Sequence, residues 1–257
     1  MKALKEIYEY RSMIQMLVRR DLRGKYKGSV LGFAWTFINP LLQLAVYTMV
    51  FSVVMRSGID RYAIFLFVAL IPWLAMANSV TGGATCVIGQ QNLVSKIHFP
   101  RQVLPITTVV TSFVNMLLCM IVVLIVCAFT VGLNLAVLWY LIPVILVEFI
   151  LALGIAFLVS GLTVYFRDLE HILSIFVMAW QFLSPVMYSV DMVPEQYRAL
   201  FMINPMTSVI TAYRQILYYK TAPDLSTMLT ALGMGLLFLI IGWFAFLRLE
   251  RHFAEEM

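Results

Sequence analysis

No glycine-rich loop in this chain is followed by the Lys-Ser or Lys-Thr that would cradle a triphosphate. The nearest cluster, Gly82-Gly83 to Gly89, lacks both. A P-loop nucleotide site of its own is thereby excluded. The three histidines, His98, His171 and His252, stand far apart, and no metal-ligand spacing is present. No Ser/His/Asp or Cys/His set points to a nucleophilic enzyme. Cys86, Cys119 and Cys127 lie in apolar surroundings and read as small packed residues, with no evident disulfide framework. Charge is scarce as well: Asp, Glu, Lys and Arg together make up 12% of the chain.

What replaces charge is apolar sequence. Hydrophobic residues reach 62% and mean hydropathy is +0.93, which excludes an ordinary water-soluble domain. Six long apolar runs are read near Leu31–Val54, Tyr62–Val80, Leu104–Val131, Leu138–Tyr165, Ile172–Val190 and Met228–Leu247. Each has about the 20 residues that a helix needs to cross a hydrocarbon core of roughly 30 Å. Barrel strands would be about ten residues long and would alternate. The predicted class is an all-α integral membrane protein with six transmembrane helices, in one membrane domain with no sizeable soluble module. The opening is expected not to be a signal peptide, because it stays charged well past an n-region. One carboxylate, Glu148, lies inside a run. It is a functional candidate by default, with a polar cavity or pairing to Arg214 as the plainer alternatives. A lone carboxylate is poor equipment for an ion-coupled flippase. It is also too little for an intramembrane transferase, which needs a catalytic cluster near the membrane surface.

The 18 basic residues are unevenly placed. Thirteen fall before the first run, in the second and fourth loops, or in the tail: Lys2, Lys5, Arg11, Arg19, Arg20, Arg23, Lys25, Lys27, Lys96, Arg101, Arg167, Arg248 and Arg251. Arg56, Arg61, Arg198, Arg214 and Lys220 occupy the opposite segments. The positive-inside rule then places both termini in the cytoplasm. The net charge of +5 reads as topology signal and lipid attraction rather than nucleic-acid binding.

Lys2–Leu22 shows apolar residues at helical spacing between charges, predicting a basic amphipathic helix lying in the membrane interface, stopped by Gly24, Gly28 and Ser29. Residues 1–28 are assigned to this element and 29–257 to the six-span domain. Pro40 within the first span frees a carbonyl and predicts a kink. Phe33, Phe37, Tyr47 and Phe51 fall within about 40° of one helical face, and the fifth span repeats the theme with Phe176, Trp180 and Met187. These aromatics either pack against neighbours or line a path for a wide, amphipathic cargo. The loop Ile88–Pro105 contains a helix-like Asn92–Lys96 and a turn at His98–Arg101; it is a connector or a docking element. Phe166-Arg167-Asp168, with Glu170 and His171 behind, is a second such contact. Ala152, Ala156 and Ser160 form a small-residue ridge suited to close helix approach. Between the fifth and sixth runs, Val193-Pro194-Glu195 predicts a helix start. Asn204-Pro205 breaks the chain, and Met206–Tyr219 predicts a second short helix.

Ordered segments then carry a likeness. Lys25-Tyr26-Lys27-Gly28-Ser29-Val30-Leu31-Gly32 leads into Trp35 and Asn39-Pro40-Leu41. Leu93-Val94 to Lys96 precedes Phe99-Pro100-Arg101 and Leu104-Pro105. Phe166-Arg167-Asp168-Leu169, Ser184-Pro185-Val186-Met187-Tyr188, Val193-Pro194-Glu195, Asn204-Pro205-Met206 and Tyr213-Arg214 follow. Together they cover most of the chain, which resembles the membrane subunit of ABC-2 (type V) exporters, specifically the polysaccharide-export permeases for O-antigen, capsule and teichoic acid. The resemblance implies a homodimer in the bacterial inner membrane, with two copies of a separate ABC ATPase that binds ATP and Mg. It implies no cofactor and no catalysis in this chain. ATPase coupling is expected from Leu93, Lys96, Phe99, Arg101, Arg167, Asp168 and Glu170. Channel lining is expected from Phe33, Phe37, Tyr47, Phe51, Phe176, Trp180 and Met187. An anionic undecaprenyl diphosphate headgroup is expected near Arg19, Arg20, Arg23, Lys25 and Lys27, and two short gate helices between spans five and six. The alternative within the family is export of a drug or small lipid.

Overall fold

The computed structural model describes residues 2–24, 28–97 and 99–253. Among the described residues all regular structure is helical, as expected of a chain whose backbone must satisfy itself in lipid. Helices α1 (Lys2–Glu9) and α2 (Arg11–Gly24) precede α3 (Trp35–Thr48), which continues as a π-helical turn over Met49–Val54. Next come α4 (Tyr62–Thr85), α5 (Gln91–Lys96), α6 (Val103–Thr130), α7 (Leu135–Leu138) and α8 (Leu141–Tyr165). The chain closes with α9 (Leu169–Phe182), α10 (Glu195–Ile203), α11 (Pro205–Leu217) and α12 (Leu225–Leu249).

Among the described residues, five segments are long and apolar enough to cross a membrane: Gly32–Val54, Tyr62–Thr85, Val103–Thr130, Leu135–Tyr165 and Leu225–Leu249. The fifth expected run differs. Its helix, α9, spans 14 residues, only about 21 Å at 1.5 Å per residue. Proline 185 explains the shortfall: it disfavours helical geometry at Ser184 and cannot donate to the ladder, so the apolar sequence continues as a buried turn. The single N-terminal helix expected over Lys2–Leu22 is also divided at Tyr10, a residue that packs with Met13, Ile14 and Leu17 on the core.

Helix α4 is the central element, buried along most of its length and packed by α3, α6, α8 and α9. Gly83 brings it against Ala156 of α8, where an added Cβ would sit 3.1 Å from the alanine backbone. Ala152, Ala156 and Ser160 are fully buried, so the small-residue ridge joins helices within the chain and offers nothing to a second copy. On the other side of α8, Gly154 meets α12 at Gly242 so closely that no Cβ fits at either position.

One apolar cluster fills the middle of the bundle. A second gathers Leu17 of α2, Cys86 and Val87 after α4, Val94 of α5, Leu104 of α6, Val164 of α8, and Phe246 and Phe253 at the end of the chain. These are the segments that charge counting assigned to one side of the membrane. At the opposite end, Tyr218 donates to the Asp60 carbonyl at 2.6 Å. Arg61 and Lys220 donate to the carbonyls of Thr130 and Val131 at the end of α6. Two of the cations assigned to the outer side thus cap a helix C-terminus, where the dipole favours positive charge.

Candidate transport path and coupling surface

Two side-chain assemblies fix the half of the bundle that holds α10 and α11. Asn204 caps α11 by accepting from the Met206 N–H at 3.0 Å, with Pro205 in the first turn. The same Asn204 accepts from Trp180 Nε1 at 2.9 Å and donates to the Ser184 hydroxyl at 2.8 Å, tying the end of α9 to the start of α11. Ten residues on, Arg214 is buried. Its Nη1 donates to the carbonyls of Pro185 at 2.6 Å and Tyr188 at 3.0 Å, and its Nη2 to Val186 at 2.7 Å. The guanidinium lies 3.5 Å from the Phe65 ring centroid on α4. Arginine therefore supplies what the chain after Pro185 lacks, donors for carbonyls that no helix satisfies. Glu148 pairs not with Arg214 but with its neighbour: Tyr213 donates to Glu148 Oε2 at 2.7 Å.

The expected path-lining residues divide. Phe33 and Phe176 are exposed, on α3's 3-10 lead-in and on α9, while Phe37, Tyr47 and Phe51 are half-buried against the core. Trp180 is buried, edge-on to Trp73 at 5.4 Å. Met187 must be withdrawn from the list. It is 1% exposed inside the chain, held in the Arg214-tied turn, with its carbonyl accepting from Tyr62 at 2.8 Å. Exposed aliphatics crowd the same two helices, among them Leu42, Val46, Ile172 and Ile175.

At the other end, Lys96, Arg167, Asp168 and Glu170 are exposed. Leu93 and Phe99 pack on the second apolar cluster. Arg101 turns inward: Nη1 donates to the Glu250 carbonyl at 2.6 Å and the guanidinium lies over Phe253 at 5.6 Å. Gln102 donates to Glu250 Oε1 at 2.9 Å. Burial pushes the Glu250 carboxyl up to about 7, against the opposing pull of Arg101. Arg19 and Arg23 are exposed on α2, and Arg20 holds Asp21 at 2.9 Å. Lys25, Lys27 and His98 lie outside the described residues.

Sequence reasoning missed a set of amides within the spans. Asn39, Gln43, Asn78 and Asn115 line one cavity of about 450 Å³ between α3, α4 and α6. The signal was available: each interrupts an apolar run where a polar side chain is expensive.

Residues 12–218 match the family described as ABC-2 type transporter. The chain belongs to that family. It is 34% identical to an O-antigen export system permease protein RfbA of Myxococcus xanthus, over 100% of this chain and 99% of that protein. It is 31% identical to an O-antigen export system permease protein RfbA of Klebsiella pneumoniae, over 95% and 94%. A polysialic acid transport protein KpsM of Escherichia coli is 23% identical over 79% of this chain and 80% of its own length. This ABC-2 member is a multi-pass membrane protein built from several membrane-length helices.

Proposed function

We propose that this chain is the permease subunit of an ATP-driven exporter that carries a lipid-linked polysaccharide across the bacterial cytoplasmic membrane. The observation that carries the reading is end-to-end likeness to O-antigen export permeases. The cargo class is O-antigen, capsular polysaccharide or teichoic acid on an undecaprenyl diphosphate carrier. The chain acts as a homodimer with two copies of a separate ATPase, which bind ATP and Mg; no bond is broken here. Both termini lie in the cytoplasm, an orientation supported by the charge asymmetry and by the shared cluster that α2, α5 and the end of α12 build.

Closure of the ATPase dimer pushes on Lys96, Arg167, Asp168 and Glu170. Leu93, Phe99 and Arg101 carry the motion into α6, α8 and α12. Residues 1–28 lie in the interface, where Arg19, Arg23, Lys25 and Lys27 attract the diphosphate. The α3 and α9 faces of two copies part, and the glycan slides over Phe33, Phe37, Tyr47, Phe51, Phe176 and Trp180, whose rings give weak, movable contacts. Helices α10 and α11 gate the outer mouth.

Deleting the gene in its host and assaying surface polysaccharide tests the reading: glycan accumulates inside and returns with the intact gene. The purified chain alone hydrolyses no ATP, and substantial hydrolysis by it would refute the division of labour. Charge reversal at Lys96 and Arg167 together uncouples the partner's ATP hydrolysis from export.

A further inference from the structure

Amide and hydroxyl groups on spanning helices are costly, because hydrocarbon offers them no partner. Three helices nonetheless converge such groups on one side. Asn39 and Gln43 of α3, Asn78 of α4, and Ser112 and Asn115 of α6 line the cavity of about 450 Å³, with Trp35 and Thr36. Trp35 and Thr36 open α3, Asn39 and Gln43 follow within its next two turns, Asn78 lies about two turns before the end of α4, and Ser112 and Asn115 lie in the first half of α6. A neighbouring cavity of about 240 Å³ shares Asn78, Ser112 and Asn115, and continues through Thr81, Thr108 and Thr111 to Asp21 on α2. Sharing these residues, the two form one groove, part polar and part apolar, that runs from α2 along α4 and α6 to α3, and their combined size is that of a ligand site.

The groove's polar groups are not all spent on the protein. Thr81, Thr108 and Ser112 donate to carbonyls of their own helices. Thr36 Oγ1, Thr111 Oγ1 and Asn115 Oδ1 have no partner among the described residues, although Thr36 is only 5% exposed. Pro40 also frees the Thr36 carbonyl, which is met by the Cys119 thiol at 3.4 Å, a weak donor. Among the described residues, neither cavity is lined by Lys, Arg or His, and the one charged lining residue, Asp21, is held by Arg20. Neutral donors and acceptors beside an indole complement a neutral polyol. They do not complement a phosphate.

We propose that this groove is a lateral binding site for the uncharged sugar of a lipid-linked glycan, seating the sugar within the membrane while its lipid tail remains in hydrocarbon beside the exposed face of α3. The proposal rests on the export reading and deepens it, placing a sugar contact away from the aromatic faces of α3 and α9.

The test uses the complex with its ATPase in lipid nanodiscs and two photoreactive probes of equal chain length, an alkyl glucoside and an alkyl phosphate. The glucoside labels the segments around Asn78 and Thr111–Asn115, and the alkyl phosphate does not. Combining Asn78→Leu with Asn115→Leu lowers both labelling and glycan export by about tenfold, as two lost hydrogen bonds would. Thermal stability holds or rises, because apolar groups replace costly amides, and this separates lost binding from lost fold. Equal labelling by the two probes means a merely hydrated groove and overturns the proposal. Should gene deletion leave surface glycan intact, the export reading itself fails. Where deletion removes the glycan and the double variant restores it fully, only the groove assignment falls.

Discussion

Tyr213 of α11 donates its phenolic proton to Glu148 Oε2 of α8 at 2.7 Å, with both side chains fully shielded from solvent. The second carboxyl oxygen, Oε1, has no partner among the described residues. The only carboxylate in the long spanning helices thus serves as an acceptor joining the short helix α11 to the spanning helix α8. Tyr213→Phe strands that carboxyl and costs about 1–2 kcal/mol of stability. Adding Glu148→Leu to it recovers most of the loss. Thermal unfolding of the four proteins of this cycle in detergent checks the coupling, and additive losses would show that the contact is idle.

Arg214 answers three carbonyls of the turn after α9 at once. Lysine cannot reproduce a planar fork. Arg214→Lys is expected to cost about 3 kcal/mol or more, seen as a lower melting temperature and loss of a single peak in size-exclusion chromatography. Wild-type behaviour would mean the turn holds itself.

The junction of Arg101, Gln102 and Glu250 makes this end of the bundle sensitive to pH. The Glu250 carboxyl titrates near 7 in the fold, against an ordinary 4.5. A raised carboxyl favours the protonated folded form. Its stabilisation is complete below the ordinary value and is lost as pH rises through about 7. Hydrogen exchange at Val103 and Leu104 and in residues 249–253 is therefore expected to quicken between pH 5 and 8, beyond its intrinsic base catalysis. Glu250→Gln abolishes that excess, and an unchanged excess in the variant would remove Glu250 from the account.

Glycine has different meanings along one helix. At Gly242 a Cβ would lie 2.0 Å from the Gly154 carbonyl oxygen, whereas at Gly233 nothing lies within 4 Å. Gly242→Ala therefore forces α8 and α12 apart and is expected to prevent stable assembly in the membrane. Gly233→Ala is neutral or gains up to about 1 kcal/mol from helix propensity. Expression and thermal stability in parallel decide it; equal behaviour of the two variants would contradict the close approach.

Local patterns made much of this legible. Pro194-Glu195 and Asn204-Pro205 predicted the starts of α10 and α11, because capping and proline chemistry act within one turn. The freed carbonyl expected from Pro40 is present at Thr36, but its acceptance from Cys119 joins residues 83 positions apart, which no local pattern announces. Trp180 and Phe176 share a helix face in sequence, yet one is mostly covered, edge-on to Trp73, and the other exposed, since burial depends on neighbours and not on period.

Composition alone determined that this chain lives in lipid, since a polypeptide this apolar must close its backbone hydrogen bonds as helices there. Charge asymmetry determined an expected orientation, because moving Lys and Arg across a membrane is unfavourable. The tertiary structure decided what each polar residue inside the membrane is for. A side chain in hydrocarbon takes its meaning from the partner that meets it, and partners such as Tyr213 and Glu148, or Arg214 and the turn at Pro185, come together only when distant helices pack.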